Sequence, residues 1–161
     1  MRYIGFLFLL FALIIPSASA DTVMVSLFNG EGVTYFSQQR IRLASAVVEG
    51  AMEVFFESDH IVFDLGLTSD EEELPLDPRT ASEIARTGGA GYFLDLRIGS
   101  PDEETGIPAF LAYSFVDLAA DNILTDGTIK KAEIYAEQAD SIDICALLGA
   151  KAAREAIRLL K

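Results

Sequence analysis

The sequence predicts a single α/β domain in which helices pack on one mixed β-sheet, with elements in the order β-α-β-α-β-β-β-α. Apolar residues recur every three or four positions over residues 41–55 and 142–159, as they do in helices that cover a sheet. Short β-branched and aromatic runs lie between these segments. No internal repeat interrupts the pattern, and residues 21–161 have a length that suits one domain.

The first half of the domain is predicted to be two strands joined by a helix. Residues 22–28 form an apolar run that Asn29-Gly30 ends, which is typical of a buried strand. Residues 61–65 indicate the second strand, and this succession favours a right-handed parallel crossover. The helix between them begins at the candidate N-cap Ser37. Its apolar face consists of Ile41, Ala44, Val48, Ala51, Met52 and Phe55.

A second helix and three further strands are predicted next. Asp77-Pro78 supplies an N-cap and a first-turn proline, and the helix ends at Gly88. Its inner face is expected to consist of Ala81, Ile84 and Ala85. The strands are predicted at residues 90–98, 110–118 and 123–135. Because short polar turns join them, we expect antiparallel neighbours.

The final helix is predicted to begin at the cap Ser141 and to contain the only cysteine, Cys145. A single cysteine excludes a disulfide within the chain. It lies in an apolar stripe, so we interpret it as a core thiol. The stripe consists of Ile142, Cys145, Leu148, Ala152, Ala156 and Leu159.

Residues 1–20 are predicted to be a secretory signal peptide that is cleaved after Ala20. Arg2 precedes an apolar run over residues 4–15, and small residues stand at the cleavage site. The run is shorter than the about 20 residues that span a bilayer. Asp21 stands where a lipoprotein would have its lipidated cysteine. We therefore expect a periplasmic or secreted protein with no lipid anchor and no membrane insertion after processing.

The chain is strongly acidic, with a formal net charge of −13. Arg2 is the only charged side chain of the predicted leader, so removal of the leader makes the net charge one unit more negative. Such a surface repels phosphate backbones and anionic lipid headgroups. Nucleic acid and membrane surfaces are therefore excluded as expected partners.

Two glycine-rich segments superficially match cofactor motifs. Gly30-Glu31-Gly32 follows the first strand, but Tyr35 occupies the place of the third glycine of a dinucleotide fingerprint. Residues 88–91 contain three glycines, yet they follow a helix and lack the lysine of a P-loop. We interpret both as turns and predict no bound cofactor.

No catalytic or metal-binding pattern is recognisable. His60 is the only histidine, and no Gly-x-Ser-x-Gly elbow presents a serine, so we interpret His60 as a surface or edge residue. The acidic run Asp70, Glu71, Glu72 and Glu73 lacks the interleaved spacing of a calcium loop and indicates a solvated loop. Paired carboxylates elsewhere in so acidic a chain remain an alternative.

Two segments of the sequence resemble a group of bacterial periplasmic domains. After a first strand that ends at Phe28-Asn29, these segments read ASEIARTGGAGYFLDLRIGS over residues 81–100 and AYSFVDLAADNILTDGTI over residues 112–129. The second segment contains a Val116-Asp117 pair before a turn and an Ile123-Leu124 strand. The chain is similar in this respect to the TolB N-terminal domain, LpoB and CsgG group, although it has neither a lipidated cysteine nor a propeller.

The resemblance implies a non-enzymatic accessory or adaptor protein of the bacterial cell envelope that binds another envelope protein. The alternatives are a subunit of a homo-oligomeric envelope assembly, since open sheet edges pair between copies, and a small hydrolase that uses acidic residues. Loops on a rigid scaffold carry recognition. The candidate partner-binding residues are therefore Asn29, Glu31 and Tyr35 after the first strand, together with Asp70, Glu71, Glu72 and Glu73.

Overall fold

The computed structural model describes residues 21–29, 38–64, 77–102, 105–134 and 139–160. The strands are β1 (Thr22–Asn29), β2 (Ile61–Asp64), β3 (Tyr92–Ile98), β4 (Phe110–Asp117) and β5 (Asn122–Lys130). The helices are α1 (Gln38–Glu57), α2 (Pro78–Thr87) and α3 (Ser141–Ile157), and a 3-10 turn (Lys131–Glu133) follows β5. The order of strands and α-helices confirms the prediction.

The five strands form one mixed sheet in the spatial order β2-β1-β3-β4-β5. β1 pairs in parallel with both β2 and β3. β3, β4 and β5 pair antiparallel with one another in sequence. The predicted parallel pair and the predicted antiparallel succession are both confirmed. Among the described residues, β2 and β5 are the two edges of the sheet.

Helices α1 and α3 cover one face of this sheet. Alternate residues of β1 and β3, such as Val23, Val25, Leu94 and Leu96, point into the main hydrophobic core with the inner faces of both helices. Burying side chains of this kind stabilises the fold by about 1.5–3 kcal/mol each. Cys145 is among the fully buried members, as predicted.

The two covering helices touch through glycines. A Cβ atom added to Gly149 would lie 1.8 Å from the carbonyl oxygen of Val47, and one added to Gly50 would lie 2.1 Å from the carbonyl oxygen of Ala146. No side chain separates the helices there. The backbones of α1 and α3 are therefore in direct contact at Gly50 and Gly149.

Helix α2 packs on the opposite face and covers only part of it. Asp77 caps the helix as predicted, accepting hydrogen bonds from the backbone N–H groups of Arg79 at 3.0 Å and Thr80 at 3.1 Å. A further hydrogen bond from the Thr80 hydroxyl is the main cause that lowers the pKa of Asp77. The smaller core beneath α2 consists of Met24, Phe28, Ala81, Ala85, Ala90, Phe93 and Leu118.

Two predicted element ends are wrong. β5 ends at Lys130 rather than at residue 135, because the 3-10 turn begins there and the Glu133 carboxylate accepts the Lys130 N–H. Helix α3 is capped by Asp140 rather than Ser141. The Asp140 carboxylate accepts from two backbone N–H groups of the first turn, at 2.8 and 2.9 Å.

Three residues predicted to face the core are exposed, namely Ile84, Ile142 and Leu159. Helix α2 contacts the sheet through Ala81 and Ala85, which are four residues apart and lie on its buried face. Ile84 lies to the side of that buried face. Ile142 is in the first turn of α3, and Leu159 follows its last residue. The apolar stripe of α3 that meets the sheet is therefore shorter than the sequence pattern indicates.

Candidate functional site

Most of the predicted partner-binding residues lie outside the described residues. These are Glu31, Tyr35 and the acidic run Asp70, Glu71, Glu72 and Glu73. The candidate cap Ser37 also lies outside the described residues. Asn29 is described and is the last residue of β1. The structure therefore places the point at which the first loop leaves the sheet, and the role of the loop residues stays a prediction.

Asn29 lies at the end of the sheet where β3 and β5 also end. It is in register with Ile98, which pairs with Leu111, which pairs in turn with Ile129. Residues 99–109 connect β3 to β4 at this end, and the 3-10 turn leaves β5 there. Three connections thus converge at one end of the sheet.

A set of charged side chains holds this end together. The Lys131 ammonium lies 3.5 Å from the Asp102 carboxylate and 3.4 Å from the Thr105 hydroxyl. Lys151 of α3 donates to Glu133 at 2.8 Å. That hydrogen bond is the first cause that lowers the pKa of Glu133. These contacts tie β5 and its 3-10 turn to α3 and to the β3–β4 connection.

The face of the sheet opposite α1 and α3 carries a row of polar residues beyond α2. Ser26 of β1 is in register with Asp95 of β3, Asp95 with Ser114 of β4, and Ser114 with Asp126 of β5. Residues in register on neighbouring strands point to the same face. We call these four residues the polar row. It leads across the sheet from its interior to the edge at β5.

In the inner part of the polar row, a buried carboxylate forms an ion pair with a half-exposed guanidinium. Asp95 is only 4% exposed, and it receives hydrogen bonds from Arg97 Nη2 at 2.6 Å and Arg97 Nε at 3.1 Å. This pairing raises the pKa of Arg97. Burying a carboxylate without a partner destabilises a fold, so the burial of Asp95 requires its ion pair with Arg97. The half-exposed guanidinium also presents a positive charge on an acidic protein.

The outer end of the polar row reaches the free edge of β5. The Lys131 N–H donates to the carbonyl of Ala109 at 2.9 Å, in the register that pairs Phe110 with Lys130. Backbone groups in an antiparallel pair alternate between the partner strand and the other side. Odd-numbered residues therefore bond to β4, and the backbone groups of Asp126, Thr128 and Lys130 point away from the sheet.

Apolar surface also lies at this edge. Ile123, near the start of β5, is 60% exposed. The turn before it is anchored to α2 by an ion pair between Arg86 and Asp121. A β-bulge between the register pairs of Phe115 and Val116 separates Ile123 from the regular part of the edge. The edge of β5 thus combines free backbone groups with exposed apolar and charged side chains.

Reactive groups give no organised centre in the described part of the chain. No group of three or more His, Cys, Asp or Glu residues there is arranged to hold a metal ion. Burial raises the pKa of Cys145 to about 12, which keeps the thiol protonated and a poor nucleophile. His60 is half-buried and packs edge-on against Phe55 at 6.2 Å, and its Nδ1 has no partner among the described residues. His60 directly precedes the edge strand β2, which agrees with the edge alternative of the prediction, and one side of its ring packs on the core.

Sequence reasoning did not identify the polar row or the edge of β5. The alternation of Leu94, Asp95, Leu96 and Arg97 signals a strand with one apolar and one polar face. That signal was available in the sequence. Which residues of the other strands line up with Asp95 depends on strand order and register, which the pattern does not contain.

Comparison with known proteins gives matches among solved structures only. No protein-family model and no curated protein sequence matches the chain. A single-substitution variant of the PelC dodecamer from Paraburkholderia phytofirmans has 16% identity, covers 83% of this chain and 85% of its own, and gives a TM-score of 0.51. A second PelC dodecamer from the same organism has 14% identity and a TM-score of 0.50, and the match covers 82% of this chain and 83% of the PelC chain.

A TolB structure from Acinetobacter baumannii is also among the matches, with 10% identity and a TM-score of 0.47. It covers 86% of this chain and 28% of the TolB chain. At such identities a structural match shows similarity of fold alone. The predicted resemblance to the TolB, LpoB and CsgG group stays a prediction. In the described residues, no helix is both long and apolar enough to cross a membrane.

Proposed function

We propose that this chain is an exported accessory or adaptor protein of the bacterial cell envelope, without enzymatic activity, that acts by binding another protein. The observation that carries the proposal is the edge of β5, which pairs with no other described strand and where backbone donors and acceptors face outward beside exposed side chains. Such edges bind extended segments of other proteins by adding a strand to the sheet.

The edge supplies both parts of a strand-addition site. Outward-facing backbone groups provide hydrogen bonds that do not depend on the partner's sequence. The exposed side chains of Asp126, Thr128 and Lys130 lie on one face along the edge and provide selectivity. Ser114, Asp126 and Arg97 continue this surface onto the face of the sheet opposite α1 and α3.

The proposed location rests on residues 1–20, which have the charge, apolar run and small-residue triplet of a cleaved leader. The strongly acidic composition favours a partner with a basic surface, because complementary charge speeds encounter. The fold is also that of the PelC structures. A periplasmic or secreted protein that binds an envelope component accounts for these features together.

A second candidate function is a subunit of a homo-oligomeric envelope assembly. It is favoured by the PelC structures, which share the fold and are dodecamers. The two candidates differ in what occupies the β5 edge, another protein or a second copy, and the loops after β1 and β2 are further proposed contacts in either case. Asn29, Glu31, Tyr35 and the acidic run at residues 70–73 are the proposed contacts of these loops.

In-cell photo-crosslinking tests the proposal. A crosslinking amino acid is placed at Thr128 on the free edge, and a matched control places it at Arg154, which is exposed on α3. Mass spectrometry then identifies the captured proteins. Capture of one envelope protein from Thr128 but not from Arg154 supports adaptor function, and its loss in a Glu31→Ala/Tyr35→Ala variant adds the first loop to the contact. Equal capture patterns from both positions would refute a binding role for the edge.

A further inference from the structure

We infer that two copies of this chain pair through β5, antiparallel, about a two-fold axis at Thr128. The inference rests on the proposed protein-binding role of the edge and deepens it by naming a second copy as the occupant. It follows from three features of β5: the direction of its backbone groups, the spacing of its charges and the position of its bulge.

The backbone direction selects the residues that pair. Asp126, Thr128 and Lys130 have their N–H and C=O groups on the side away from β4, as derived above from the Lys131–Ala109 hydrogen bond. The Lys130 N–H also points away from β4, but it donates to the Glu133 carboxylate at 3.3 Å, so at this position only the Lys130 carbonyl is available to a partner. In a two-fold pair, Thr128 exchanges both backbone hydrogen bonds with the partner's Thr128.

The charges select the register. With Thr128 on the axis, Asp126 of each copy stands opposite the partner's Lys130, so two opposite-charge pairs form at once. Both side chains are exposed and neither is in a salt bridge among the described residues, although the charge of Lys130 also contributes to the lowered pKa of Glu133. A register centred two residues earlier would place Asp126 opposite the partner's Asp126. Like charges in that position are destabilising, so they disfavour the alternative.

The bulge sets the length of the pairing. Leu124 is the extra residue between the pairs Phe115–Thr125 and Val116–Ile123, so the edge is regular only from Thr125 to Lys130. This segment includes residues 126–130, which pair with the partner strand in the proposed register. Pairing is therefore short, and with two strongly acidic copies it gives a weak, concentration-dependent dimer.

In the dimer, the five-stranded sheets of the two copies form one continuous sheet. Residues paired across strands point to the same face, so the polar rows of the two copies lie on one face of the joined sheet, one on each side of the axis. Helices α1 and α3 of both copies cover the other face. The pair thus presents one two-fold open face in place of two separate ones.

Sedimentation velocity over a range of concentrations tests the inference, with the full chain expressed from its own N-terminus and purified as the cell processes it. Thr128→Pro removes an outward N–H and is tolerated on an edge strand. Thr128→Ala is the matched control that keeps the N–H. We expect a monomer–dimer equilibrium in the wild type and in Thr128→Ala, and a monomer in Thr128→Pro.

Charge exchange provides a second test that does not alter the backbone. Asp126→Lys and Lys130→Asp each turn two attractive pairs into repulsive ones and should weaken dimerisation on the order of tenfold. The double variant Asp126→Lys/Lys130→Asp restores both pairs and should return the dissociation constant to near the wild-type value. Circular dichroism of each variant reports whether the fold is retained.

Three results would overturn the inference: a wild-type chain that stays monomeric at all concentrations, self-association that Thr128→Pro leaves unchanged, or a double variant as weak as the single ones. Each is distinguishable from failure of the proposed function. Capture of another envelope protein in the crosslinking experiment would persist if only the self-pairing is wrong, and would be absent if the binding role itself is wrong.

Discussion

Replacing Gly149 by alanine should destabilise the protein, although the same change in an ordinary helix interior stabilises it by about 0.5–1 kcal/mol. The added Cβ would lie 1.8 Å from the Val47 carbonyl oxygen and 3.1 Å from the Ala51 backbone nitrogen. Both atoms belong to the backbone of α1, so no side-chain rotation relieves the overlap. The helices must move apart.

The magnitude follows from what this separation removes. Ordinary van der Waals contact begins at 3.4 Å, so α1 must shift by about 1.5 Å locally. Inserting a methyl group into a packed core typically costs about 1–3 kcal/mol, and more where backbone must shift. Since the core residues Val47 and Leu148 lie at this contact, we expect a net loss of about 2–4 kcal/mol. For a domain of this size that lowers the melting temperature by about 5–15 °C.

Urea unfolding followed by circular dichroism measures the loss, with Gly91→Ala as the matched control. A Cβ at Gly91 meets only the Thr22 carbonyl oxygen at 3.8 Å, an ordinary contact, so this variant should unfold close to the wild type. Gly50→Ala should resemble Gly149→Ala, because its Cβ would lie 2.1 Å from backbone. A Gly149→Ala protein as stable as the wild type would show that α1 and α3 are not in backbone contact.

Further predictions concern the thiol, the helix cap and acid stability. Cys145, whose pKa is raised to about 12, should not react with a thiol reagent at pH 8 in the folded protein and should react once urea unfolds it; reaction at equal rates in both states would contradict its burial. Asp140→Ala should cost about 1 kcal/mol in urea unfolding, whereas Ser141→Ala should change stability by less than about 0.5 kcal/mol, and the reverse order would restore Ser141 as the cap. The pKa values of Asp77 and Glu133 are lowered in the folded state, so their stabilisation is present above their unfolded pKa values near 4 and is lost as pH falls through the folded ones. Unfolding midpoints measured from pH 6 down to pH 2 should therefore fall less steeply in Asp77→Asn/Glu133→Gln than in the wild type, and parallel pH profiles would contradict this.

The elements of the fold were predictable because each rests on a local pattern. The spacing of Val48, Ala51 and Phe55 indicates a helix face, and the Asp77-Pro78 pair marks a helix start, whatever the rest of the chain does. Ends were less certain where two residues have similar capping chemistry. Asp140 and Ser141 are both good N-caps, and only the backbone geometry selects Asp140.

The candidate site was not predictable, because it is made by pairing between distant segments. Asp95 and Asp126 belong to one row only through the intervening register of Ser114, and the bulge near Phe115 shifts that register along part of β5. A sequence pattern gives the face of each strand but not its neighbour. That β5, rather than β3 or β4, has a free side is a property of strand order alone.

The backbone contact between α1 and α3 also constrains the order in which the chain can fold. Gly50 and Ala146 are nearly one hundred residues apart, whereas β3, β4 and β5 join neighbours along the chain. Local hairpins close rapidly, and contacts between distant segments form slowly. The β3–β5 meander can therefore form before α1 is in place, but the side of α1 that contacts α3 remains uncovered until α3 has been synthesised. A chain that ends before α3 should consequently expose α1 and aggregate, and the synthesis of α3 completes the main core.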